Sequence, residues 1–380
     1  MDYPIISADS HIVEPRGTYD RIDVKFRDRA PRIEYIPGKG DCYIVEGFKD
    51  PIVIISIAAA GKKPEEIVET GECMWDSLHR GGWDPAYRLA DQERDGIAAE
   101  IIYPTMGMAV CNAADYDLKH AVFRAYNYWI AEYCAFSPVR MIGAGQTAMR
   151  TPDDGIKDLE NMKKLGLRTA MLPAYPQMED YDSKIYDEFW AASISLGIPI
   201  SFHVLTGGRN NFVSERGPRI NSLMGIIRTN QDLIAMLIYG GVFERHPKLR
   251  TVSVEGDAGW VPHYMYRMDH QFNRHRHRMA PDVILSKAPS DYFRENVYLT
   301  FQDDWIAFKN VNQLNWRRLM WANDFPHADS TWPWSQGMLK EHSQDLSEEQ
   351  KYAILCGNVA ELYGIDIPTL TNELRKKKAA

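Results

Sequence analysis

Residues 141–172 read MIGAGQTAMRTPDDGIKDLENMKKLGLRTAML. Met141 to Ala148 is an apolar run with small residues, Thr151-Pro152-Asp153-Asp154 has the composition of a helix start, and Gly166 stops the helical period that follows. A second apolar run, Thr169 to Leu172, comes directly after. Strand, helix and strand in so short a span predict a βα crossover, the unit from which parallel sheets are wound.

The same alternation extends in both directions. Eight β-rich runs can be read: Ile5 to Ala8, Ala99 to Tyr103, Met141 to Ala148, Thr169 to Leu172, Pro199 to Val204, Leu249 to Glu255, Val297 to Phe301 and Leu319 to Ala322. Helical patterns lie at about 84–95, 115–136, 152–165, 183–196, 217–244, 259–279, 304–314 and 334–342. Eight strands, each followed by a helix, predict an α/β fold, a closed (β/α)8 TIM barrel. The 380 residues exceed a minimal barrel. The surplus falls in an insertion at about 16–83, in loops, and in a C-terminal helical extension at about 345–380. The insertion carries Pro31, Pro37, Gly38, Gly40, Gly47 and Pro51 around the apolar run Ile52 to Ala58 and reads as a lid or small β subdomain after the first strand. Residues 1–380 are therefore expected to form one domain.

Composition narrows the function. With 45% hydrophobic and 25% charged residues the chain is of globular type, and a net charge of −8 argues against a nucleic-acid footprint. No apolar run is long enough to span a membrane, and the start Met-Asp-Tyr-Pro-Ile-Ile lacks a signal-peptide pattern, so a cytoplasmic protein is expected. The five cysteines are scattered without a C-x-x-C pair and are read as reduced thiols. No glycine-rich phosphate loop, G-x-S-x-G elbow or dinucleotide fingerprint appears.

In such a barrel the active site lies at the C-terminal ends of the strands. The first strand ends in Asp9-Ser10-His11, the fifth in His203, the sixth in Glu255 and the eighth in Asn323-Asp324-Phe325-Pro326-His327. Alternation puts Asp9 and His11 on one side of an extended chain. Each of these residues alone has an ordinary reading as a cap or a hydrogen-bonded histidine. Together at four strand ends they supply the N and O donors of a metal site.

On these residues the chain resembles the metal-dependent amidohydrolase superfamily, specifically the amidohydrolase family 2 group that includes the aminocarboxymuconate-semialdehyde decarboxylase relatives. The matching text is Asp9-Ser10-His11-Ile12-Val13-Glu14-Pro15, Pro199-Ile200-Ser201-Phe202-His203, Gly241 to Pro247 leading to Val252-Ser253-Val254-Glu255, Gly259-Trp260 with Pro262, Tyr292-Phe293 with Glu295 to Tyr298, and Asn323 to His327. The resemblance implies a distorted barrel with one catalytic divalent metal, held by Asp9, His11, His203 and Asp324, with Asp324 also handling a proton. The decarboxylase members place a histidine at the end of the sixth strand, where this chain has Glu255.

A bound divalent ion lowers the pKa of its water and polarises a carbonyl, and a neighbouring carboxylate can carry the proton. The leading expectation is therefore a metal-dependent hydrolase of a C–N or C–O bond in a small organic acid. Catalysis is assigned to Asp324, Glu255 and His263, and metal binding to Asp9, His11, His203, Asp324 and Glu255. The alternatives are a non-oxidative decarboxylase of an aromatic or unsaturated acid, a dinuclear iron hydroxylase, and an inactive binding protein. The cofactor is expected to be one divalent zinc or manganese ion, or two irons in the hydroxylase case. Aromatic residues near loops suggest a largely apolar pocket, and His327, Arg209, Trp332 and Tyr175 are the expected substrate contacts. The cationic run from His270 to Arg278 reads as surface. Expected partners are a small-molecule substrate and further copies of the chain in a homodimer or homotetramer, with no nucleic acid and no membrane.

Overall fold

The computed structural model describes residues 3–48, 50–67, 72–207 and 217–379. Among the described residues eleven strands are formed: β1 (Ile6–Ile12), β2 (Arg32–Ile36), β3 (Gly40–Ile44), β4 (Ile52–Val53), β5 (Ala99–Pro104), β6 (Met141–Gln146), β7 (Thr169–Met171), β8 (Ile200–His203), β9 (Thr251–Val254), β10 (Val297–Phe301) and β11 (Leu319–Trp321). Eight of them make one sheet in the order β1-β5-β6-β7-β8-β9-β10-β11, in which each strand runs parallel to its neighbours. The first and last strands meet just past β11, where His11 N donates to the Phe325 carbonyl at 2.7 Å and Asp324 N to the Asp9 carbonyl at 3.2 Å. The sheet thus closes at the strand ends that carry the candidate ligands, as a (β/α)8 barrel requires.

The quoted stretch forms the expected unit. Thr151 Oγ1 accepts from Asp154 N, Pro152 occupies the first turn, and Gly166 ends the helix Pro152–Leu165 at a φ of 80°. Strands β1, β5, β6 and β8 are buried throughout, and the apolar residues of the helices close over them in one core.

Three helical expectations are corrected. The pattern at 217–244 divides into a 3-10 segment Arg219–Gly225 and helices Arg228–Tyr239 and Val242–Arg245, because Gly240-Gly241 interrupts it, with Gly241 at a φ of 71°. The 259–279 pattern ends its α-helix at His275, with a 3-10 turn Arg276–Arg278 beyond, and 304–314 contains a short helix Trp305–Lys309 before the turn Val311–Gln313. Within the insertion β2, β3 and β4 form a small antiparallel sheet, and helices Glu348–Tyr352, Asn358–Tyr363 and Ile367–Ala379 follow the barrel. The five cysteines are free, and among the described residues no helix is long and apolar enough to cross a membrane.

Candidate metal centre

The backbone first explains how β1 aims two ligands. Ser7 pairs with Glu100 but Ser10 pairs with Ile102, so β1 carries one extra residue between them. This bulge re-sets the alternation around Asp9. Arg88 holds the strand from below, donating to the His11 carbonyl at 2.7 Å and to Ser10 Oγ at 2.9 Å. On the far side of the barrel His203 pairs in register with Val254, so the residue after Val254, Glu255, emerges beside it. Glu255 and Asp324 both adopt left-handed backbone, with φ values of 57° and 52°. For non-glycine residues this conformation carries strain and recurs at functional sites. Glu255 N is fastened by Thr300 Oγ1 at 2.8 Å.

Asp9, His11, His203, Glu255 and Asp324 converge. His11 Nε2 lies 3.4 Å from Asp9 Oδ1, 3.3 Å from Asp324 Oδ1 and 3.7 Å from Glu255 Oε2. His203 Nε2 lies 3.7 Å from Asp9 Oδ2 and 3.4 Å from Glu255 Oε2, and the two Nε2 atoms are 3.2 Å apart. The other nitrogen of each ring faces a backbone carbonyl, His11 Nδ1 to Pro104 at 3.3 Å and His203 Nδ1 to Val204 at 3.0 Å. A carbonyl only accepts, so each Nδ1 carries the proton, and in the neutral ring each Nε2 presents a lone pair to the cluster.

The cluster is buried, with only the Glu255 side chain partly exposed. Asp9 Oδ1 and Oδ2, Asp324 Oδ1 and Oδ2, and Glu255 Oε2 have no aligned hydrogen-bond partner. Two facing lone pairs among such carboxylate oxygens fit a divalent cation, which would satisfy several of them at once. Without an ion the same groups compete for protons. Burial raises the Asp324 carboxyl well above its ordinary range. Burial would lower His11, but Asp9, Glu255 and Asp324 together raise it well above an ordinary imidazole.

Among the described residues two four-residue groups are close enough to hold an ion: Asp9, His11, His203 and Glu255, and then His11, Glu255, Asp324 and His327. His327 joins through a ring 4.0 Å from His11 and nearly parallel to it. Its Nδ1 is 3.1 Å from Asp324 Oδ1, close but poorly aligned, while Nε2 is 3.1 Å from Thr105 Oγ1. Burial, with His11 beside it, lowers His327 to about 3, so the ring is neutral near pH 7.

Other expected contacts lie elsewhere. His263 is exposed on the helix Val261–His275, against Tyr266, and stands outside both groups; its assignment to catalysis is corrected, because the helix turns that face to solvent. Trp332 is also corrected from substrate contact to packing. It is buried with Phe325 and with Ala60 of the insertion, and its Nε1 donates to the carbonyl of Asp91 in the helix Pro85–Asp95. Tyr175 is exposed and lines a cavity beside Thr206, outside the cluster. Arg209 lies outside the described residues.

The sequence reading missed three supports. Thr105 fixes His327, Arg88 fixes the His11 backbone, and Glu14 fixes the Met106–Val110 helix by accepting from Met106 N at 2.9 Å and Gly107 N at 3.3 Å. Only Glu14 had a visible signal, as the acid three residues after His11.

Comparison with known proteins agrees with this geometry. The amidohydrolase family model matches residues 54–365, and Asp9 and His11 precede that span. The 2-amino-3-carboxymuconate-6-semialdehyde decarboxylase of Dictyostelium discoideum is 25% identical over 293 residues, 75% of this chain and 77% of that protein. An amidohydrolase of Mycobacterium avium subsp. paratuberculosis K-10 superposes with a TM-score of 0.79 at 20% identity, covering 96% of this chain and 100% of that one. The 5-carboxyvanillate decarboxylase of Novosphingobium aromaticivorans, solved with manganese and 4-hydroxy-3-methoxy-5-nitrobenzoic acid, superposes with a TM-score of 0.69 at 19% identity, covering 96% of each chain. These two structures share the fold. With the family match running over most of the barrel that carries these candidate ligands, the chain belongs to the amidohydrolase family.

Proposed function

We propose that this enzyme removes carbon dioxide from an aromatic or unsaturated acid without oxidation, using one divalent metal ion. The observation that carries the metal is the facing pair of Nε2 atoms among partnerless carboxylates. Decarboxylation is favoured over the expected hydrolysis by likeness to a curated decarboxylase along three quarters of the chain, whereas hydrolysis rests on the superfamily alone.

The ion would be held by Asp9, His11, His203 and Glu255 or, displaced toward Asp324, by His11, Glu255 and Asp324 beside His327. When bound, the ion supplies a Lewis acid that polarises a substrate oxygen. The two ligand groups share His11, whose only free nitrogen is Nε2, and one nitrogen cannot serve two ions. They therefore support alternative positions for a single ion, and manganese or zinc fits such a mixed N/O set.

Loss of carbon dioxide leaves an electron pair on the substrate carbon, and a proton must be delivered there. Asp324 is the buried acid best able to hold that proton, since burial raises its carboxyl. His327, neutral and 3.1 Å from Asp324 Oδ1, stands where it can exchange a proton with Asp324. This pair takes the part that the strand-six histidine has in the decarboxylase members, where this chain has Glu255. Asp324 and His327 thus move the proton, and Glu255 orients the ion or the substrate.

The test uses manganese-loaded enzyme and a panel of aromatic acids, amides and esters in heavy water and in oxygen-18 water. Carbon dioxide release with deuterium at the vacated carbon is expected. Oxygen-18 in the product without carbon dioxide would overturn the reading in favour of hydrolysis. Elemental analysis should give about one metal per chain, and two irons would favour the hydroxylase alternative.

A further inference from the structure

The site just described leaves one buried cation unused. Lys119 lies in the first turns of the helix Tyr116–Cys134 and is only 1% exposed. A helix N-terminus is the positive end of the dipole, so burial and the backbone field both oppose an ammonium there. Among the described residues no carboxylate lies within ion-pair distance of its Nζ, which sits 3.7 Å from the centroid of the Tyr116 ring. The nearby acids are committed elsewhere: Asp115 caps the helix and binds Arg29, and Asp117 binds Arg150. Burial pushes the neighbouring Cys111 thiol up to about 12, so it supplies no negative charge near pH 7. Lys119 itself is lowered by burial to about 8 and remains largely cationic there.

Lys119 lines a cavity of ≈ 240 Å³ with Cys111, Asn112, Tyr175 and Thr206. The cavity is tied to the metal centre by the chain on both sides. Thr206 Oγ1 donates to the carbonyl of His203 at 2.8 Å, and the helix leading to Cys111 begins on the carboxylate of Glu14, three residues past His11. Asn112 Nδ2 donates to the Leu205 carbonyl at 2.9 Å, while its Oδ1 is buried without a partner. A buried ammonium with no counter-charge among the described residues and a free acceptor thus face one cavity at the side of His203.

From this juxtaposition we infer that the cavity is the far end of the substrate site, and that Lys119 pairs there with a second carboxylate of the substrate, remote from the group held at the metal. The inference rests on the metal-centre reading above, and it makes Lys119 a specificity residue for dianionic acids.

Binding by titration calorimetry tests it, with manganese-loaded and metal-free protein. The probes are benzoate and biphenyl-4-carboxylate against isophthalate, terephthalate and biphenyl-4,4′-dicarboxylate, which present the second carboxylate at increasing span. At least one dicarboxylate should bind about tenfold more tightly than its monocarboxylate counterpart, as expected for a charge-assisted contact. K119M should erase that margin and leave monocarboxylate affinity within about twofold, and K119R should keep it within about threefold. K119Q gives the same reading if K119M does not fold. A wild type that prefers no dicarboxylate, or a margin that survives in K119M and K119Q, overturns the inference. The margin compares two ligands on one preparation, so it can be read separately from manganese dependence. Monocarboxylate binding indifferent to manganese would count against the metal reading, while loss of the margin in K119M would still support Lys119.

Discussion

Two buried polar clusters flank the seam where the barrel closes, and they differ in how their groups are satisfied. Below the seam, Arg88 Nε donates to Glu100 Oε2 at 2.7 Å, Asn323 Nδ2 reaches Glu100 Oε1 at 3.4 Å, and Ser7 Oγ donates to Asn323 Oδ1 at 2.8 Å. Every side-chain oxygen of Ser7, Glu100 and Asn323 has a partner there. Above it, five oxygens of Asp9, Asp324 and Glu255 have none, and two imidazole nitrogens face each other. Apart from the partly exposed Glu255 side chain, both clusters are buried, so burial alone does not separate them. The difference is that a structural cluster completes its bonds within the chain, whereas a ligand cage leaves them aimed at a common point.

The largest way to test this contrast is to remove a donor from the upper cluster. His203→Ala should reduce turnover to below about a thousandth of wild type and weaken manganese binding by more than about 100-fold. The metal-free protein should still fold and unfold cooperatively in urea, because His203 Nε2 faces only other members of the cluster. Retained turnover would refute the ligand assignment, and a collapse in metal-free stability would make the upper cluster structural after all.

The lower cluster should respond in the opposite manner. Arg88→Met leaves the Glu100 carboxylate buried without its cation, a change that costs about 3–5 kcal/mol in chemical unfolding. Adding Glu100→Gln should recover more than about 1 kcal/mol, because the stranded charge is then gone. Manganese affinity of the folded fraction should change less than in His203→Ala, since Arg88 touches only the backbone of His11. A cost below about 1 kcal/mol for Arg88→Met would remove the distinction drawn between the clusters.

The upper cluster was legible in the sequence and the lower one was not, for a physical reason. Strand ends are marked by local pattern, so Asp9, His11, His203, Glu255 and Asp324 could be found by reading where each apolar run stops. The eight strands were legible by the same means. Arg88 and Thr105 act through contacts set by closure of the barrel, and nothing near them in the chain signals those contacts. His263 was misread because its place after the sixth strand says nothing about which way the helix turns. Trp332 was misread because an aromatic residue in a loop can face a pocket or a neighbouring element, and Gly61 of the insertion packs so close that an added Cβ would lie 2.7 Å from its ring. Lys119 was passed over because on a helix it looks like any surface lysine until its burial is known.

The finest test lies between the clusters, at the chain from Thr105 through His327 to Asp324. A neutral ring whose Nδ1 faces a carboxylate favours the tautomer with the proton on Nδ1, leaving Nε2 to accept from Thr105 Oγ1. His327→Phe keeps a ring over His11 but loses both nitrogens, and should reduce kcat about tenfold to a hundredfold. Thr105→Val removes only the bond that orients the ring and should cost about threefold in kcat with little change in KM. If the three groups act as one chain, the double variant is no slower than His327→Phe alone, because Thr105 has no route to Asp324 except through the ring. Independent, multiplying losses would show that Thr105 and His327 act separately, and His327 would then be grouped with the satisfied structural network rather than with the metal centre.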